Sequence, residues 1–381
     1  MTAGVFITHQ PVLNKQRAVT ANRILVHARG AGLSQAAAQT LNDLSAVWPN
    51  ERTVFVGLAG ATPDPGLLEW QAPSNVMFEI PAAALNAAST IQLIQGLQQA
   101  GTMLCLDGYL PSQALPQSAS FRFVIADLAH ARSGVPPGLM LARDLADADA
   151  FDTALKNGFD GATGWFFLRT KPKAKKLAPS HGQIVRLLNL VRKNAEVRDL
   201  EAALKQDVAL SFKLLRYINS AGFGLSCEIQ SFRHAVTILG FDKLHKWLSL
   251  LLVTASKDPT APALMQTAIV RGRFMEIVGA GFFDKSELDN LFITGAFSLL
   301  DVLLGTPMEA ILEEMHLPEG VTDALLQNES VYKPFLELAV AAESDRDTSL
   351  AQISASLQLE VSRLNQAQLQ ALSFADSLQF D

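Results

Sequence analysis

Seven histidines are spread along the chain as His9, His27, His130, His181, His234, His245 and His316. No two of them share the HxxxH spacing that brings two imidazoles to one metal ion. The two cysteines, Cys105 and Cys227, fall in different halves without CxxC or Cys/His spacing. Buried thiols are therefore expected, with neither a disulfide framework nor a zinc site. A serine nucleophile elbow, a Gly-x-x-x-x-Gly-Lys phosphate loop and a dinucleotide fingerprint are all missing. One polar turn stands out, made of Arg216, Asn219, Ser220, Phe223 and Gly224. Its Asn219 and Ser220 can satisfy free backbone groups at a helix end, while Gly222 takes a positive φ and Phe223 anchors the turn in a core. This residue set predicts no metal and no cofactor.

Two kinds of element would position these residues. Residues 1 to 170 alternate short β-like runs with helical segments, the pattern of a parallel α/β domain. The runs are Val5 to Thr8, Arg23 to His27, Thr53 to Leu58, Val76 to Ile80, Met103 to Leu106, Phe121 to Asp127, Leu139 to Leu141 and Thr163 to Phe167. Helices are expected at Ala83 to Ala100 and at Asp147 to Asn157, the latter stopped by Gly158. A (β/α)₈ barrel usually takes about 250 residues, so several helices must be shortened or missing. Two prolines and four lysines in Lys171 to Pro179 mark a linker over residues 171 to 180. Such a basic run could touch an acidic partner, although a solvated linker explains it as well.

Helical periodicity alone follows, over residues 181 to 381. Ile184, Leu187, Leu188 and Val191 share one face, as do Leu210, Leu214 and Ile218. Ser231 is placed to cap a helix carrying Ala235, Ile238 and Leu239. Asp242 is placed to cap another, and Leu291 to Leu304 reads as one helix before Gly305. The tail from Ser349 to Phe380 is expected to pack loosely or to pair with another chain.

With 49% hydrophobic and 18% charged residues the chain can fill packed cores. A net charge of -6 argues against gripping nucleic acid. No window reaches the roughly 18 apolar residues of a membrane span, so no insertion in a membrane and a cytoplasmic location are expected.

The segment Asp207 to Leu225, with its Arg-Tyr-Ile-Asn-Ser-Ala-Gly-Phe-Gly turn, and Ile229 to Gly240 closely resemble the central signature of HDOD domains. Ala296 to Glu309 resembles the subgroup in which an EAL domain precedes the HDOD domain. Gln10-Pro-Val-Leu-Asn14 and Gly158-Phe-Asp-Gly-Ala-Thr-Gly-Trp-Phe-Phe167 resemble the opening and closing elements of EAL domains. The fold implied is a truncated or degenerate (β/α)₈ EAL-like barrel followed by a helical HD-related bundle, an α/β domain plus an all-α domain.

Active EAL domains hydrolyse cyclic di-GMP with divalent cations held by oxygen ligands. On the resemblance, those ligand positions fall here on Arg23, Gly57, Gly108 and Arg143, and the catalytic Lys on Val124 or Ile125. A ligand-contacting Arg falls on His27 and the closing Gln on Thr163. Glu79 and Asp107 remain as carboxylates, and pairing with Arg23 and Arg143 is expected to neutralise them. The His-Asp dyad of HD hydrolases falls on Ser298 and Leu299.

The expectation is a non-enzymatic signal-transduction adaptor, linked to cyclic di-GMP and acting on an unidentified signalling protein, with self-association as a second contact. The alternative is a cyclic-dinucleotide-binding sensor.

Overall fold

The computed structural model describes residues 4–116, 119–129, 136–169, 179–205, 229, 231–253, 260–344 and 347–378. The chain divides into two units, Met1–Thr170 with Ala341–Gln370, and Lys171–Val340 with Ala371–Asp381. The fold is an α/β barrel followed by a helical region.

Eight strands build the barrel: β1 (Phe6–Asn14), β2 (Val19–His27), β3 (Thr53–Leu58), β4 (Val76–Pro81), β5 (Met103–Asp107), β6 (Phe123–Asp127), β7 (Leu139–Arg143) and β8 (Gly161–Thr163). They form a closed ring in chain order. Strands β2 to β8 run parallel, whereas β1 is antiparallel to both of its neighbours. The cause is local. Asn14 accepts hydrogen bonds from the amides of Gln16 and Ala18, which closes a tight turn between β1 and β2, and a tight turn can join only antiparallel strands.

Three α-helices cross between strands in this unit, Leu33–Asp43, Ala88–Gln99 and Ala148–Lys156. Asp147 caps the third by accepting from the amide of Ala150. Other connections use short 3₁₀ turns or none, among the described residues, which is how eight strands fit so short a chain. The last strand is shorter than the sequence implies. After Gly164, at φ 103°, the chain leaves the sheet for a 3₁₀ turn at Phe166–Arg169. There Phe166 stacks on Phe151 at 4.9 Å.

Because β8 pairs only with Val12 to Asn14, the outer edge of β1 needs other partners. They come from residues 341 to 370. The amide of Ile7 donates to Asn365 Oδ1 at 3.1 Å, and its carbonyl accepts from Gln368 Nε2 at 2.8 Å. Asn365 Nδ2 donates to the Val5 carbonyl at 2.8 Å, and the amide of His9 donates to the Ala342 carbonyl at 3.2 Å. Asn365 and Gln368 are buried on the helix Val361–Ser377. The expectation of a loosely packed tail is thereby corrected, because its buried amides complete the edge of β1.

In the helical unit, Ile184, Leu187, Leu188 and Val191 are buried on the helix Pro179–Arg192, as their spacing implies. Ser231 caps the helix Phe232–Val253 by accepting from the amide of His234. Ile238, expected on its buried face, is 45% exposed. The helices Ala261–Gly279 and Lys285–Phe297 pack so closely that a Cβ on Gly272 would lie 2.6 Å from the Phe292 carbonyl oxygen, and one on Gly295 would lie 2.6 Å from the Gly272 nitrogen. The single helix expected from Leu291 to Leu304 breaks at Ser298 and Leu299. The turn residues Arg216, Asn219, Ser220, Phe223 and Gly224, with Leu210, Leu214, Ile218 and Cys227, lie outside the described residues, as does the linker through residue 178.

Replacing Asn365 by Ala should leave buried groups of β1 unsatisfied and lower barrel stability by about 1–3 kcal/mol. Urea unfolding followed by tryptophan fluorescence tests this, since Trp48, Trp70 and Trp165 lie in the barrel unit. An unchanged midpoint would mean that the tail does not support β1.

Candidate functional site

Side chains alternate across a strand with a period of two. Val12, Ala21, Phe55, Met77, Cys105, Ile125 and Leu141, one from each of β1 to β7, form a buried apolar cluster. Two residues toward the C-terminal ends of the parallel strands, on the same face, stand Arg23, Gly57, Glu79, Asp107, Asp127 and Arg143. On antiparallel β1 the equivalent step leads back to Gln10, which lies opposite Arg23. The barrel interior is thus apolar in one layer and charged in the next.

Arg23 makes a bidentate pair with Glu79, with Nε to Oε1 at 2.7 Å and Nη2 to Oε2 at 2.8 Å. Both side chains are almost fully buried, at 8% and 3% exposure. Arg23 also lies 3.4 Å from Asp107 Oδ2 and donates to Gln10 Oε1 at 3.3 Å. That Gln10 oxygen accepts a second bond from the Thr163 hydroxyl at 3.2 Å. Arg143 donates to Asp107 Oδ1 at 2.9 Å and to Asp127 Oδ1 at 2.8 Å, with Asp144 at 3.7 Å. Asp107 therefore bridges the two guanidinium groups.

Burial pushes the Glu79 carboxyl above its ordinary range, and the charge and hydrogen bonds of Arg23 oppose that shift. Burial is the largest influence on Arg23 and would lower it, but the charge and hydrogen bond of Glu79 together with the Asp107 charge outweigh it and hold the guanidinium above its ordinary value. Arg143 is raised chiefly by its hydrogen bond to Asp127. Beneath them Cys105 is fully buried, and burial pushes its thiol well up, so it stays protonated and unreactive.

The structure brings together Arg23, Glu79, Asp107 and Arg143, with Gly57, Gly108 and Thr163 beside them. Gly57 has a steric role: a Cβ there would lie 2.7 Å from Glu79 Oε2. The expected neutral balance is corrected, because Asp127 and Asp144 join the cluster and set four carboxylates against two guanidinium groups. Sequence reasoning had the signal for Asp127, which ends an expected strand on the same alternation as Asp107, but Asp144 and Gln10 depend on the fold. Val124 and Ile125 are buried. His27 is also buried and bonds to Thr8 at 2.9 Å. In the helical unit, the Ser298 hydroxyl donates to the Gly295 carbonyl at 2.7 Å and accepts from Arg271 at 2.9 Å, while Leu299 is buried.

Residues 177–295 match the HDOD domain family. The helical half carries an HDOD domain. With the barrel ahead of it, the chain has the two-part order of the EAL–HDOD resemblance. A cyclic di-GMP phosphodiesterase, CdgJ, of Vibrio cholerae is 28% identical over 281 residues, covering 69% of this chain and 65% of that protein. An uncharacterized protein, YuxH, of Bacillus subtilis is 24% identical, covering 63% of this chain and 59% of that one. The matched region thus spans less than two thirds of either relative's length. The structure of the FimX EAL domain of Pseudomonas aeruginosa bound to c-di-GMP is 18% identical, covering 44% of this chain and 90% of that one, at a TM-score of 0.34.

The expectation that the chain is no enzyme does not stand against these findings. The Vibrio cholerae relative is named a phosphodiesterase, whereas the inference of lost function rested on positions assigned by resemblance: the metal-ligand positions at Arg23, Gly57, Gly108 and Arg143, the Lys position at Val124 or Ile125, and the His-Asp positions at Ser298 and Leu299. A divalent cation does not fit the mouth as arranged. Both oxygens of Glu79 are taken by Arg23, and Asp107 and Asp127 are bound to Arg143. Among the described residues no group of three His, Cys, Asp or Glu side chains is set to hold a metal ion. Nor, among them, is any helix long and apolar enough to cross a membrane.

Replacing Arg23 by Met would leave Glu79 buried without its cation and should destabilise the barrel by about 3–5 kcal/mol. The double variant Arg23→Met with Glu79→Leu should recover much of that loss. Urea midpoints of both variants decide the point, and equal destabilisation by single and double variants would count against a buried ion pair.

Proposed function

We propose that the chain serves cyclic di-GMP-linked signalling, with the barrel mouth as its nucleotide-facing site and the HDOD half as the part that meets a signalling protein. The observation that carries this reading is Arg143. Its side chain is 28% exposed, and it is held by Asp127 and Asp144, which are themselves open to solvent at 41% and 71%. Two cavities, of about 200 and 180 Å³, meet at Arg23, Arg143 and Asp144. A phosphodiester can replace Asp127 on Arg143 by exchanging one oxyanion for another, since guanidinium groups bind both in the same forked geometry. Arg23 serves differently: its buried pair with Glu79 holds the floor of the site in place. Trp165, which lines one cavity, offers an aromatic face to a base. The name of the Vibrio cholerae relative supports the choice of ligand.

Calorimetry with cyclic di-GMP, in buffer with and without Mg²⁺ or Mn²⁺, tests this proposal alongside chromatography for the linear product. Saturable binding or turnover is expected. Arg143→Ala should weaken the interaction at least about tenfold, as befits losing a charge-assisted bond worth about 1.5–3 kcal/mol. If the chain neither binds nor converts the dinucleotide, the reading fails.

A further inference from the structure

Within the helical unit a third cavity, of about 290 Å³, lies among the helices Pro179–Arg192, Phe232–Val253 and Lys285–Phe297. Its size is near the lower end of small-molecule sites, which run from about 300 to 1,000 Å³. Its lining is apolar at Val191, Phe241, Ile293 and Pro318 and polar at Arg192, Asn194, His245, Ser286, Asp289 and Asn290.

Arg192 is the informative group. Its guanidinium is partly buried at the cavity wall, and among the described residues it has neither a carboxylate partner nor a hydrogen bond. Burial lowers its pKa with no counter-charge to oppose the shift. Arg271 and Arg273, elsewhere in this unit, hold Ser298 and Glu276. The acid on the cavity wall, Asp289, lies 3.5 Å from Lys246 and is committed to that cation. Asn290 is fixed by a bond from its Nδ2 to the Tyr332 hydroxyl at 3.3 Å. A cation with no partner among the described residues, beside a cavity with aromatic and aliphatic lining, is complementary to a ligand with an oxyanion at one end and an apolar body at the other.

We propose that this cavity binds a small organic anion, with its phosphate or carboxylate on Arg192 and Asn194 and its body against Phe241 and Ile293. The site shares no residue with the barrel mouth, and it gives the HDOD half a small-molecule input of its own.

The test uses the full-length chain and calorimetry with three probes: inorganic phosphate, adenosine 5′-monophosphate and benzoate. Saturable binding of one organic anion is expected, with inorganic phosphate at least tenfold weaker because it lacks the body. Preference for the nucleotide or for benzoate tells a phosphate end from a carboxylate end. Arg192→Gln should weaken binding at least tenfold. Asn194→Gly should also weaken it without straining the backbone, since Asn194 sits at φ 50°. Arg143→Ala, at the barrel mouth, should leave it unchanged. The proposal is overturned if none of the three probes binds, if inorganic phosphate binds as well as both organic anions, if folded Arg192→Gln and Asn194→Gly both bind as wild type does, or if Arg143→Ala abolishes binding.

Discussion

A strand edge cannot be left with buried amides and carbonyls unpaired, and the first strand of this barrel has such an edge. Strand β8 is three residues long and reaches only the end of β1. The rest of β1 is completed by side-chain amides of Asn365 and Gln368 and by the carbonyl of Ala342. Residues far apart in sequence therefore belong to one unit. With β1 held, the ring closes, and closure brings Gln10 and Thr163 to the same mouth as Arg23.

Closure also explains how so many charges can share one small space. A charged layer directly above a sealed apolar layer has little water on its inner side, so each ion must find its partner locally. Glu79 does so entirely through Arg23, and the absence of a side chain at Gly57 leaves the room it needs. Toward the rim the constraint relaxes. Asp127 and Asp144 are partly solvated, so their hold on Arg143 is the part of the network that an incoming anion can exchange at least cost.

The helical half solves a different packing problem. One close helix crossing is set by Gly272 and Gly295, which face each other with no room for a Cβ. Nearby, Lys246 pairs with Glu276 and Asp289 on two other helices and stands over the ring of Phe292. Such committed charges contrast with Arg192, which has no partner among the described residues.

What was legible in the sequence follows from local rules. Apolar runs marked each strand, although β1, β2 and β8 differ in extent from the runs that announced them. The Asp147 and Ser231 caps were readable because a cap depends on its own first turn. The resemblance to EAL domains singled out Arg23, Glu79, Asp107 and Arg143 together. The remaining features needed three dimensions. The helix Val361–Ser377 shows which of its faces is apolar, but its period does not identify what that face covers, and β1 became its partner only when β8 proved too short. Likewise Asp127 and Asp144 are ordinary acids in the sequence. Closure of the ring set them beside Arg143 and turned an expected neutral pairing into a network rich in carboxylate, because charge balance in a site depends on proximity, which composition does not encode.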